Sequence, residues 1–387
     1  MTNSSVLFVF GTRPECIKLA PLILEAQKRL LTVYTCFTGQ HKEMATPILD
    51  FFKIKIDFNL QIMKPGQTLN EISTALFAKL EPVLATHQIK YLVVQGDTTT
   101  AAVAAMMAFQ SSIEVVHIEA GLRTKNLNSP FPEEFNRRVI SLATKWHFAP
   151  TKNAEQNLIS EGFEQKNIFM VGNTGIDALR LVVSQIPVNK SKFKSSQDFL
   201  IVVTLHRRES FGVEMECIMH GIQDICKLHP CIKIVWPMHH NPNVRAAFDS
   251  VFSTVPENLI IESPMNYFDF ISVMHEADLI ITDSGGVQEE APFLGRPILV
   301  CRTNTERPES IDCGSAILVG TSRETLVTEV FNLFSDKEAY LKMAVRRTPY
   351  GDGYASKKII DVLTNQMFLQ DLVLEEEVHS SIPSFHH

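Results

Sequence analysis

At 387 residues, the chain is longer than one ordinary hydrophobic core can serve and predicts two domains. Hydrophobic residues make up 45% and charged residues 20%, the balance of a soluble globular protein with full cores. The formal net charge of −7 argues against a nucleic-acid binder, so any anionic ligand must be held by local donors. The one basic cluster, residues 190–194, reads as a solvated linker. The first residues lack a basic segment, the apolar run after them is too short for a signal peptide, and no stretch approaches a membrane span. Seven cysteines without C-x-x-C pairs read as reduced, core-filling thiols of a cytoplasmic protein and argue against zinc.

Val6-Leu7-Phe8-Val9-Phe10 is a continuous apolar run, the pattern of a parallel strand covered on both faces. Gly11-Thr12-Arg13-Pro14-Glu15 then turns into a helix reaching about residue 29. Pro14 suits a first helical position, and the helix dipole favours Glu15 beside it. Arg13 and Lys18 either face a ligand or are a turn residue and a solvated charge; for Lys18 alone the second reading is the better one. A strand over 33–38 leads to Gly39-Gln40-His41-Lys42-Glu43, and helices follow at 43–52 and 69–87.

Tyr91-Leu92-Val93-Val94 and Val115-Val116-His117-Ile118 are strand-like, separated by an Ala- and Met-rich segment of helical length. This β-α-β unit delivers Asp97 and Glu119 at the C-terminal ends of its strands, where open α/β sheets bind ligands. Glu133 follows in Pro130-Phe131-Pro132-Glu133-Glu134. A helix near 136–144, a strand over 146–149, a helix near 153–161 and a strand over 168–171 leading to Gly172-Asn173-Thr174 complete a doubly wound domain.

Residues 187–198 are polar and read as a linker, after which the alternation restarts. A strand over 199–204 ends in His206-Arg207, and a helix fits 214–228. A strand over 232–236 leads to His239-His240. Strands over 259–262 and 279–282 flank a helix near 267–276. Asp283-Ser284-Gly285-Gly286 joins strand to helix, 297–301 is a strand, and two helices lie within 337–367. The fold class is α/β: two Rossmann-like doubly wound domains facing a central cleft. The expected boundaries are 1–186 for the domain carrying the acids and 187–366 for a second domain whose last helix is free to pack back on the first. Residues 367–387 are expected to form a flexible tail.

The paired glycines 285 and 286 let backbone N–H groups approach a ligand, and the helix N-terminus favours an anion such as pyrophosphate. A tight structural turn is an equally good reading of that pattern alone. It lacks the lysine of a P-loop and is not G-x-G-x-x-G. Glu290 suits either ribose hydroxyls or an ordinary first-turn glutamate. Arg13 and Arg307 fit a bidentate phosphate clamp. His206 is the best placed of thirteen histidines, its alternative being a loop-holding role. His117 inside a strand reads as structural, and His239-His240 resembles a metal pair only superficially.

Asp97, Glu119 and Glu133 brought together would repel and raise at least one pKa, as acid–base work requires. Taken singly, two of them have a structural reading: Asp97 as a helix cap through Thr99 or Thr100 N–H, Glu119 as a partner of Arg123.

These segments, in this order, resemble the non-hydrolysing UDP-N-acetylglucosamine 2-epimerase family. The matching stretches are 11–15 with Lys18, Gln40-His41, 96–100, 119–124, 130–134 with Asn136-Arg137, 172–174, 206–212, Asn241-Pro242, 283–290 and 305–309. The resemblance implies a glycosyltransferase-B-like fold, usually a homodimer, needing neither metal nor nicotinamide. It implies interconversion of UDP-GlcNAc and UDP-ManNAc at C2, with Asp97, Glu119, Glu133 and His206 catalytic. Arg13, Lys18, Phe270, Ser284, Gly285, Gly286, Glu290 and Arg307 would bind the UDP-sugar. Gln40, Glu43, Arg207 and His239 match a second, regulatory UDP-GlcNAc site. Gly66 stands where some relatives carry Arg, so this chain lacks that contact. Leu205 and Met265 replace residues that are often polar or smaller, and Leu205 beside His206 is expected to alter the sugar fit.

The expected enzyme is therefore a reversible 2-epimerase serving cell-surface polysaccharide synthesis, without cofactor. The rivals are an epimerase for a modified UDP-HexNAc, a hydrolysing relative, a glycosyltransferase and a catalytically inert UDP-sugar-binding module.

Overall fold

The structure, a computed structural model, describes residues 5–29, 31–40, 42–186, 192–195, 198–207 and 211–365. His41, most of the expected linker and the expected tail at 367–387 lie outside the described residues. The chain divides into two compact units, one holding the described residues up to Ala178 together with those from Gly351 on, the other Leu179–Tyr350.

In the first unit the strands β1 (Ser5–Phe10), β2 (Thr32–Phe37), β3 (Phe58–Asn59), β4 (Ile89–Gln95), β5 (Glu114–Ile118), β6 (Thr144–Ala149) and β7 (Ile168–Met170) form one sheet. Its order is β3-β2-β1-β4-β5-β6-β7, with every pairing parallel. The chain winds outward in one direction from β1 and in the other from β4. Loops leaving these two strands therefore diverge to opposite faces and leave a crevice at their C-terminal ends, the topological switch point. All six residues of β1 are buried, which accounts for the unbroken apolar run in the sequence. Leu7, Val9, Leu92 and Val94 share one core with Leu76 and Leu80 of the helix Leu69–Thr86.

In the second unit β8 (Phe199–Thr204), β9 (Ile232–Pro237), β10 (Leu259–Glu262), β11 (Leu279–Thr282), β12 (Ile298–Val300) and β13 (Ala316–Leu318) are ordered β10-β9-β8-β11-β12-β13. All of its strand pairs are parallel, and its switch point lies between β8 and β11. Both sheets are thus α/β and Rossmann-like, as the alternation of elements predicts. Additions to the predicted set are the helices Thr174–Val183, Pro242–Val251, Pro308–Asp312 and Arg323–Ser335 and the short strands β3 and β13. Arg323–Ser335 carries a readable signal, with Ser322 accepting from Thr325 N at 3.2 Å and Leu326, Val330 and Leu333 buried along one stripe. β13 is three residues long, too short for its alternation to register.

The cluster read as a solvated linker is tied down where it is described: Lys194 Nζ bonds Asp278 at 2.6 Å and Lys192 bonds Glu262 at 2.8 Å.

A closing helix over 355–365 belongs to the first unit. Its first turn is held by buried Asp177, whose carboxylate accepts from Ser356 N at 2.7 Å and Ala355 N at 3.1 Å. Substituting Asp177→Ala removes a charged acceptor and strands two buried N–H groups, so a loss of roughly 2–4 kcal/mol is expected. Calorimetric melting checks this; an unchanged Tm would show that the helix is anchored elsewhere.

Candidate active site

β4 and β5 lie side by side with Gln95 opposite Ile118, so the residues just beyond them share one sheet edge. Gly96 turns with φ 69° and Glu119 with φ 66°, the left-handed region that is costly for a non-glycine residue. Buried His117 fixes the first of these turns through Nε2 on Gly96 O at 2.7 Å. Burial depresses its pKa to about 3, so it is neutral and structural. His147, opposite it in β6, is depressed to about 4 by burial and the Arg123 charge.

Asp97 does not cap the helix Thr99–Gln110. Thr98 does, accepting from Ala101 N at 3.0 Å. The Asp97 carboxylate instead receives Arg137 Nε at 2.9 Å, and its backbone carbonyl receives Asn136 Nδ2 at 2.8 Å. Burial raises the Asp97 pKa and Glu133 adds to this, against the opposing charges of Arg137 and Lys18. Arg137 also bonds Glu134 at 2.9 Å. Burial disfavours the charge of Glu134, but Thr124 N–H and Arg137 outweigh it and hold the pKa low. One guanidinium thus braces Asp97 against a second acid, on the neighbouring helix, whose pKa is held low.

Glu119 does not pair with Arg123. That arginine is directed to Glu161 at 2.8 Å and Ser141 at 2.9 Å. Glu119 takes the Lys18 ammonium and Asn173 Nδ2, the latter at 3.3 Å. Lys18 is accordingly neither solvated nor remote: it sits against Glu119 and within electrostatic reach of Asp97. Glu133 opens the helix Glu133–Ala143, and its Oε2 is buried without a hydrogen-bond partner among the described residues. Asp97, Glu119 and Glu133 thus form one cluster with two cations among them. Arg13 is the first residue of the helix Arg13–Lys28 after β1. Gln40 follows β2, its Oε1 buried without a partner among the described residues. Glu43 is exposed in the first turn of Lys42–Phe51.

The second unit presents cations and N–H groups at its switch point. Asp283, fully buried after β11, accepts from His206 N and Arg207 N at 2.8 Å each. The other carboxylate oxygen lies 3.0 Å from His206 Nδ1. Burial opposes ionisation of Asp283, but His206 and the two backbone N–H groups prevail and lower its pKa. As an ionised acceptor it requires the hydrogen on Nδ1, which leaves His206 Nε2 for a ligand. The His239 ring lies 6.0 Å from that of His206. Its Nδ1 accepts from Asn241 N at 3.1 Å, and burial and the His206 charge lower its pKa.

Ser284 is the N-cap of the helix Gly285–Leu294 without spending its side chain on the cap. A β-carbon on Gly285 would lie 3.6 Å from an Arg207 nitrogen and 4.0 Å from an Arg307 nitrogen. Two guanidinium groups therefore converge on a helix N-terminus, a charge arrangement suited to a pyrophosphate. Arg307 is held there by buried Glu289 and by a relay of short bonds. Gln288 Nε2 donates to Ser284 O at 3.1 Å, Thr305 Oγ1 donates to Gln288 at 2.6 Å, and Arg307 N donates to Thr305 Oγ1 at 3.0 Å. Tyr267 OH donates to Glu290 at 3.3 Å. Phe270, one turn along the same helix, is half-buried. Leu205 is part of the hydrophobic core of this unit.

Among the described residues, no group of three His, Cys, Asp or Glu is placed to hold a metal. No helix among them is long and apolar enough to cross a membrane.

Residues 24–364 match a family model described as UDP-N-acetylglucosamine 2-epimerase. The chain belongs to that family. The UDP-N-acetylglucosamine 2-epimerase of Yersinia pestis is 43% identical over 370 residues, which span 93% of this chain and 98% of the relative. The crystal structure of the Neisseria meningitidis UDP-GlcNAc 2-epimerase bound to UDP-GlcNAc superposes with a TM-score of 0.86 at 42% identity, covering 93% and 100% of the two chains. A glycosyltransferase of kitacinnamycin, 12% identical, superposes with a TM-score of 0.65 over 95% and 100% of the chains. That is a likeness of fold alone, and it agrees with the glycosyltransferase-B-like architecture.

Four residues carry roles that their local sequence does not show. In the sequence alone Glu15 is a dipole partner and Arg137 part of a motif. Asp283 is part of a loop, and Glu289 one residue of a helix start. Each makes its decisive contact far along the chain, where no local pattern reports it.

Proposed function

We propose that the protein interconverts UDP-GlcNAc and UDP-ManNAc by inverting the configuration at C2. A C2 proton beside an acetamide is too weakly acidic for simple abstraction. The route consistent with these residues is elimination. A carboxylate takes the C2 proton, the C2–H electron pair forms a C1=C2 double bond, and the C1–O bond breaks to release UDP. The bound 2-acetamidoglucal then accepts a proton at C2 from the opposite face as UDP adds back to C1. Asp97 and Glu133 are the acid–base pair, and Glu119, fixed by Lys18 and Asn173, orients the sugar or shares the proton.

His206, Arg307 and the N–H groups at Gly285 and Gly286 stabilise the departing pyrophosphate, and the family resemblance assigns Arg13 to UDP-sugar binding. Glu290 and Phe270 hold the nucleoside. The observation that carries this reading is the acid cluster at the ends of β4 and β5, in a chain of this family. Family resemblance supports the finer assignments: a homodimer, a polysaccharide-precursor product, and a regulatory UDP-GlcNAc site using Gln40, Glu43, Arg207 and His239. The Arg207 guanidinium beside Gly285 also makes that residue a candidate for the pyrophosphate itself.

Proton NMR of UDP-GlcNAc incubated with the protein in D2O, without added metal or cofactor, tests the proposal. UDP-ManNAc carrying deuterium at C2 is the expected product. Free UDP with ManNAc would replace the reading by hydrolysis. An unchanged spectrum with UDP still bound would point to a modified UDP-HexNAc or to an acceptor-dependent transferase.

A further inference from the structure

Glu15 is 1% exposed, and none of its hydrogen bonds reaches a group assigned above to chemistry or to the ligand. One carboxylate oxygen accepts from Gly11 N at 3.0 Å, Thr12 N at 2.7 Å and Thr12 Oγ1 at 2.8 Å. The other accepts from Thr98 Oγ1 at 2.7 Å. Two of these partners are backbone N–H groups, which only donate, and two are hydroxyls placed to donate here, an arrangement that suits a carboxylate. The first three belong to the turn that leaves β1, and the fourth to the turn that leaves β4. These are the two strands between which the sheet reverses its winding. Arg13 is the next residue after Thr12, and Asp97 directly precedes Thr98. The first turn has no slack: a β-carbon at Gly11 would come within 2.0 Å of Thr38 Oγ1 and 3.2 Å of Thr100 Oγ1.

We infer that Glu15 is a positioning residue that clamps the β1 and β4 turns together and so sets the spacing between Arg13 and Asp97. The inference rests on the proposed epimerase reading for its catalytic consequence, while the clamp itself rests only on the geometry. A buried acid is an expensive way to fill a core. Here it supplies what an apolar residue cannot, a fixed link between two segments 83 residues apart. A shift of about 1 Å in Asp97 relative to the sugar would cost on the order of 100-fold in rate. Glu15→Gln leaves one acceptor oxygen for the turn after β1 and an uncharged N–H₂ that meets Thr98 only if that hydroxyl reverses from donor to acceptor, and Thr98→Val deletes the cross-turn donor from the other side. Thr98→Ser keeps both the donor and the helix cap.

The test measures kcat, KM and amide hydrogen exchange over residues 96–101 for Glu15→Gln, Thr98→Val, Thr98→Ser and the double variant Glu15→Gln/Thr98→Val. Glu15→Gln and Thr98→Val are expected to lower kcat by roughly 10- to 100-fold with much smaller changes in KM. Thr98→Ser should behave like the parent, and the double variant should be no slower than the worse single variant, because both break the same link. Exchange at the β4 turn should accelerate in both defective single variants and not in Thr98→Ser. Multiplying losses in the double variant, or parental kcat and exchange in either Glu15→Gln or Thr98→Val, would overturn the clamp. Should Glu15→Gln fail to fold, Thr98→Asp, which keeps a cap acceptor but as a carboxylate has no hydrogen to give Glu15, takes its place and should show the same loss of kcat. If the parent proves inactive on UDP-GlcNAc while the exchange pattern appears as expected, the clamp stands and the epimerase reading falls.

Discussion

Asp97→Asn is expected to lower kcat by about 10³-fold or more, with the fold intact and UDP bound nearly as well as by the parent. Asparagine is isosteric, can still accept from Arg137, and cannot take or return a proton. The carboxylate it replaces sits between opposed influences. Burial and the neighbouring Glu133 charge push its pKa upward, while Arg137 and Lys18 pull it down, and the upward push prevails. The base form is therefore held at a higher free energy than that of a solvated aspartate, as suits a group that must accept a proton from carbon.

Two consequences have definite signs. The acidic limb of the parent's pH–rate profile should lie above the ordinary aspartate pKa of about 3.9. A folded-state pKa raised above the unfolded value also means that ionising Asp97 costs stability as pH rises through that range. The asparagine variant, spared that cost, should melt no lower than the parent at neutral pH. Steady-state kinetics with UDP titration and a melting curve check all of this. Parental turnover would remove Asp97 from the chemistry, and a collapse in Tm would recast it as an anchor for Arg137.

The parts of the site that could be read in the sequence are those whose cause is local. β1, β4 and β5 announce themselves as apolar, β-branched runs because both faces of each strand are covered. An acid placed just beyond such a run must emerge at a sheet edge, which is why Asp97 and Glu119 could be found at all. The Gly285-Gly286 helix start was readable for the same reason. Partnerships were not readable. Glu119 and Arg123 are close in sequence, yet the left-handed turn at Glu119 directs its side chain to Lys18 and Asn173 while Arg123 is drawn to Glu161. Lys18 looks like any solvated helix charge until the sheet brings Glu119 to it across 101 residues. The reading of Asp97 as a helix cap failed because Thr98 is one residue nearer the helix and fills that role.

Asp283→Asn should weaken UDP binding by roughly 10- to 100-fold, equivalent to the 1.5–3 kcal/mol of a hydrogen bond to a charged group. The native carboxylate performs two tasks. One oxygen holds the backbone N–H groups of His206 and Arg207, and the other faces His206 Nδ1. Asparagine has one acceptor for these two tasks. If its oxygen keeps the backbone bonds, its N–H₂ faces Nδ1, and the imidazole must turn that nitrogen into an acceptor. The positive charge His206 could offer a pyrophosphate then has no counter-ion behind it, although a neutral Nε2–H donor survives. ¹⁵N shifts of the His206 ring should report the change of tautomer.

The stability effect has the sign opposite to that at Asp97. Because the folded-state pKa of Asp283 is lowered, its contribution is fully present above the ordinary carboxylate pKa of about 3.9 and is lost as pH falls through the folded value. The gap in stability between parent and variant should therefore be widest near neutrality and close in acid. Unchanged UDP affinity together with an unchanged His206 spectrum would mean that the carboxylate only secures the turn. The cationic edge would then depend on Arg207 and Arg307 converging at Gly285.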